Sequence, residues 1–162
     1  MKNLDFNNIE YLKQCEFDGF KSINELINDS SSIPKEKGVY LILNPDKKSD
    51  FLATGTGGHF KEKDPNVSIE ELKQNWVDNT IVLYIGKAGN LYNRIKLYLS
   101  FGQGKKKAHW GGRLIWQLKN SRDLIVCWKT LQEDDNPRTV ESDLIKQFRS
   151  NYSKRPFANL RG

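Results

Sequence analysis

Cysteine, histidine, proline and long apolar runs are all scarce in this chain. Only two cysteines occur in 162 residues, Cys15 and Cys127. They lie far apart and form no CxxC pair, which excludes a disulfide framework and a cysteine-based zinc site and leaves two free thiols. The two histidines, His59 and His109, have no metal-ligand spacing to each other or to a cysteine. No apolar stretch reaches the roughly 18 residues of a membrane span. The opening MKNLDFNNIE carries no apolar segment of leader length, so a cytoplasmic protein with no membrane partner is expected. No internal repeat and no low-complexity tract occurs. Neither phosphate-loop pattern is present: GKAG at 86–89 is not GxxxxGK[ST], and GTGG at 55–58 is not GxGxxG.

Acidic residues are missing where basic ones gather. The net charge is +6, yet residues 1–33 hold three Lys and six acids. Residues 84–119 hold eight Lys and Arg and no acid, and residues 146–162 hold five and no acid. Cations segregated in this way point to a polyanion, because clustered Lys and Arg gain from releasing phosphate counterions. With 37% hydrophobic and 28% charged residues the chain is globular, and its length suits one domain.

The apolar pattern predicts a helix over 18–29, a strand at GVYLIL (38–43), and a short helix at 68–77 opened by a Ser68/Glu71 capping box. A second strand follows at IVLYIG (81–86), then a helix over 91–101 capped by Asn90, and a late helical turn within 109–118. LIVCWKTL (124–131) is the strongest strand, and the last helix begins at Asn136-Pro137. The expected fold is α/β of the α+β kind: a small three-stranded, largely antiparallel sheet flanked by helices. An N-terminal helical segment, 1–33, would precede a domain over 34–162, with an insertion at about 44–80.

Two side chains conflict with their surroundings. On the last helix, with Val140 at zero and ~100° per residue, Leu144, Phe148 and Ile145 define an apolar arc, and Glu141 falls inside it near 100°. A carboxylate there must neutralise, pair with a cation or bind a metal. On the helix after YIG, Arg94 lies beside Tyr98 and the apolar stripe, and it cannot shed its charge. A structural salt bridge and a phosphodiesterase site both explain that pair.

These residues align with a family. Gly38-Val39-Tyr40, Tyr84-Ile85-Gly86, Lys87, Arg94 ten positions after Tyr84, Tyr98, Glu141 and Asn159 in RPFAN occur in the order found in GIY-YIG nucleases. The chain resembles that superfamily over about residues 34–162. Its motif spacing is similar to that of the nuclease domain of the bacterial excision-repair incision subunit, except that Tyr40 and Tyr84 stand 44 residues apart. The resemblance implies an endonuclease that cuts duplex or branched DNA, one strand per site, with Mg²⁺ or Mn²⁺ held by Glu141. It gives Arg94 to the scissile phosphate and Tyr84 or Tyr40 to the attacking water. Lys87 would tune that tyrosine, Tyr98 would support Arg94 or contact a phosphate oxygen, and Asn159 would fasten the tail across the site. The basic stretch Lys105, Lys106, Lys107, His109 and Arg113 would hold the nucleic-acid backbone. A catalytically silent nucleic-acid-binding module on the same scaffold is the alternative. The long insertion is expected to extrude as a lobe.

Overall fold

The computed structural model describes residues 4–106 and 109–160. Its elements run α1 (Ile9–Gln14), β1 (Asp18–Ser22), α2 (Ile23–Asn28), β2 (Gly38–Leu43), α3 (Ile69–Asn75), β3 (Val82–Ala88), α4 (Leu91–Gly102), β4 (Ile125–Thr130) and α5 (Pro137–Tyr152). Short 3-10 turns cover Arg113–Gln117 and Ser121–Asp123. None of the described helices is long and apolar enough to cross a membrane.

The sheet is antiparallel with four strands, not three, in the order β1-β4-β2-β3. Strand β2 is central because GVYLIL is apolar on both faces, and all six of its residues are buried. The extra strand comes from the segment expected to begin a helix at residue 18. Gly19 (φ +93°) and Phe20 (φ +54°) adopt left-handed backbone that an α-helix excludes. The helix begins only after Ser22, whose side chain accepts from the Glu25 N–H in a reciprocal capping box. Gly19 pairs opposite Cys127 on β4. A Cβ there would come 2.7 Å from the Trp128 ring, so the strand closes on that ring only as glycine.

Two cores cover the two faces of the sheet. Side chains alternate along β2 and β3, so Tyr40, Ile42, Tyr84 and Ala88 face α4, α2 and the 3-10 turn. Val39, Leu41 and Ile85 face α5 and the N-terminal residues Leu4, Phe6 and Leu12. The excursion between β2 and β3 does not extrude. Gln117, buried on the 3-10 turn, accepts from Val67 N (2.9 Å) and donates to Leu52 O (3.1 Å) and Val67 O (2.9 Å). Phe51, Trp76 and Phe157 pack edge and face within 6 Å of one another. The loop has no periodic pattern, so one buried amide and three rings set its course.

Strand β3 is the last strand of the sheet, and the tail protects its outer side. Ala158 N donates to Leu83 O at 2.8 Å. Asn159 accepts from Ile85 N and donates to Ile85 O, both at 2.9 Å. A side-chain amide thus takes the place of a fifth strand over part of β3 and satisfies an edge that would otherwise be bare.

Candidate active site

Beyond the stretch covered by the tail, β3 ends in Lys87 and Ala88, and the chain turns through Gly89 into α4. An open groove of about 580 Å³ lies here, lined among others by Lys87, Asn90, Asn93, Arg94, Asn136 and Arg138. Asn90 caps α4 and Asn136 caps α5. Both helices therefore begin at the groove, and the positive ends of their dipoles add to three cationic side chains.

Arg94 lines the groove from α4, while Glu141 stands on α5, on the other face of the sheet, within reach of its charge. Arg94 reaches the Tyr40 hydroxyl, and its charge also acts on Tyr84 and on Glu141. Glu141 is half-buried. Burial raises its carboxyl above the ordinary 4.5, while the charges of Lys87, Arg138 and Arg94 oppose that rise. Tyr84 is 7% exposed and Tyr40 is fully buried, with ring centroids 6.0 Å apart. Burial pushes the Tyr84 phenol up to about 12, with Arg94 pulling down and Glu141 pushing up. Burial, and then Tyr84, hold Tyr40 well above 10.

The remaining expected residues divide by strand parity and burial. Lys87 is exposed and lies an odd number of positions from Tyr84, so it leaves β3 on the other face. Its charge acts on Glu141, not on the tyrosines it was expected to tune. Tyr98 is fully buried, stacks on Tyr84 (6.0 Å, 13° between planes) and donates to Gly112 O at 2.9 Å. It supports the tyrosine layer and offers no hydroxyl to a phosphate. Asn159 spends both ends of its amide on Ile85, the residue after Tyr84. It therefore positions the strand that carries Tyr84.

The basic stretch is not one surface. Lys105 and Lys106 are exposed, and Lys107 lies outside the described residues. His109 is fully buried against Tyr40, 3.0 Å from its hydroxyl. The Arg113 guanidinium lies 4.6 Å from the Trp110 ring centre and donates to Trp110 O at 3.3 Å. His109 therefore folds inward, where a DNA backbone contact was expected, while Arg113 is only partly buried. Arg138 was missed, although its place was readable: it precedes Glu141 by three positions in the first turn of α5 and so lies on the same side of that helix.

The Asn159 clamp makes a quantitative prediction. Asn159→Ala leaves the buried Ile85 N–H and C=O unpaired, at roughly 1–3 kcal/mol each. The melting temperature should fall by roughly 5–20 °C for a chain of this size. Calorimetry checks this, and an unchanged melting point would show that water replaces the amide.

Among the described residues no three His, Cys, Asp or Glu side chains cluster to hold a metal ion. A divalent ion here would rest on the single Glu141 carboxylate and complete its shell with water and phosphate oxygens. Mg²⁺ and Mn²⁺ accept such an oxygen set, and a half-buried carboxylate fits it.

The profile described as the GIY-YIG catalytic domain matches residues 72–154. That span holds β3, Arg94 and Glu141 and leaves β2 with its Gly38-Val39-Tyr40 outside. No curated protein matches the chain. No solved structure matches it either.

Proposed function

Because this chain belongs to the GIY-YIG family, we propose that it is a metal-dependent endonuclease hydrolysing phosphodiester bonds in DNA, one strand per active site. The family ties the chain to nuclease chemistry on nucleic acid in general. One observation carries the finer reading: a half-buried carboxylate, Glu141, feels the charges of Lys87, Arg138 and Arg94, which line the groove, and acts electrostatically on Tyr84. A purely structural ion pair needs one cation, whereas the charges of three act on Glu141, and those three line an open groove of about 580 Å³.

Glu141 would hold Mg²⁺ or Mn²⁺. When bound, the ion would polarise a phosphate oxygen and acidify a water at the groove end. Arg94 would neutralise charge that builds on the scissile phosphate. Lys87 and Arg138 would carry the flanking phosphates, and Lys105 and Lys106 would extend that contact along the backbone. Tyr84 is the more exposed of the two tyrosines and would orient the attacking water. With its phenol near 12 it rests protonated, so it orients more than it deprotonates until charge nearby changes.

Supercoiled plasmid incubated with the chain and Mg²⁺ should convert to nicked circles before linear product appears, and EDTA should stop the reaction. Binding without nicking under Mg²⁺ and Mn²⁺ would leave the silent binding module. Arg138→Ala should weaken binding to all sequences alike and lower the slope of log K against log salt by about 1. An unchanged slope would remove Arg138 from the phosphate path.

A further inference from the structure

His109 has no part in the reaction as described above, yet it is among the most constrained polar groups of the protein. It is fully buried, and its ring lies 4.3 Å from that of Tyr98 and 6.4 Å from that of Tyr84. Its Nε2 meets Tyr40 Oη at 3.0 Å, while its buried Nδ1 has no hydrogen-bond partner. The segment around it is fixed by the Tyr98 hydroxyl on Gly112 O and by Arg113 on Trp110 O.

The polarity of this contact follows from counting protons. The Tyr40 hydroxyl has one proton, with His109 Nε2 3.0 Å away and the charge of Arg94 acting on it. Arg94 can only donate. Tyr40 could donate to His109 only if Nε2 carried no proton. The imidazole would then carry its own proton at Nδ1, a buried N–H without an acceptor. Bare buried N–H groups are rare, whereas a bare lone pair is better tolerated. The reverse polarity leaves only a lone pair unpaired.

We propose that His109 is a positioning residue at the head of a one-way donor chain. In it His109 Nε2–H donates to Tyr40, so that the Tyr40 proton stays off the imidazole and is free to turn toward the side where the Tyr84 ring stands 6.0 Å away. His109 acts through Tyr40 and touches no substrate. The catalytic consequence rests on the nuclease reading, but the polarity of the chain does not. Burial, reinforced by Arg94, pushes the imidazole down to about 3, so the chain keeps its direction across neutral pH.

Nitrogen-15 NMR of histidine-labelled protein tests the polarity directly. His59, the other histidine, is exposed, so His59→Gln assigns the signals. For His109 a protonated Nε2 and a bare Nδ1 are expected throughout neutral pH, and the opposite tautomer overturns the proposal. In nicking assays His109→Leu should lower kcat roughly tenfold with little change in KM. His109→Gln, whose amide still donates, should restore most of that loss. Equal kcat in the two variants overturns the catalytic role. Wild-type protein that does not nick DNA removes the nuclease reading, and the tautomer still decides the proposal.

Discussion

Glu141→Gln should reduce plasmid nicking by about 10³-fold or more while leaving DNA bound. The change is nearly isosteric and removes a carboxylate that acts on Tyr84. Metal-assisted charge stabilisation is worth several kcal/mol, and each 1.36 kcal/mol is tenfold in rate. The binding arm has a definite sign. Lys87, Arg138 and Arg94 all act on this carboxylate, so its neutralisation leaves the groove more positive. In EDTA the glutamine variant should bind DNA at least as tightly as the wild type. The wild type should also lose activity on acidification earlier than an ordinary carboxylate would, because burial raises the Glu141 carboxyl above 4.5 and metal binding needs it ionised. Nicking within tenfold of the wild type in Glu141→Gln would remove Glu141 from the reaction.

Gly86→Ala should cripple both stability and cleavage. Gly86 pairs opposite Tyr40, and a Cβ there would come 2.7 Å from the Tyr40 hydroxyl oxygen and 2.7 Å from a ring carbon. Tyr40 cannot retreat, because it is fully buried and its hydroxyl is bound to His109. Overpacking of this kind costs about 1–3 kcal/mol. The displaced hydroxyl would also lose its alignment with Tyr84 and Arg94, so cleavage should fall by more than the melting temperature implies. Gly89→Ala is the matched control, since a Cβ there meets nothing within 4 Å. Equal behaviour of the two alanine variants would show that Tyr40 adapts.

Much of this was legible in the chain itself, for reasons that differ by element. The strands at 38–43, 82–88 and 125–130 are apolar enough to need burial on both faces, and the starts of α4 and α5 are written in Asn90 and Asn136-Pro137. Helical periodicity alone picked out Glu141 and Arg94, because a charge inside an apolar arc conflicts with its neighbours. Strand β1 was not readable: its pairing with β4 is a tertiary fact, and the apolar spacing from Phe20 onward mimics a helix until the left-handed backbone at Gly19 and Phe20 is known. Lys87 was misjudged although strand alternation sends it away from Tyr84. His109 was out of reach, since the loop that carries it has no period from which to infer burial.

The tail bound along β3 has a practical corollary for anyone handling this molecule. Preparations cut back before residue 156, or fused there to a bulky tag, would leave the Leu83 and Ile85 peptide groups open to any extended chain nearby. Such material should self-associate through strand addition and grow into oligomers, while the intact chain at equal concentration stays dispersed.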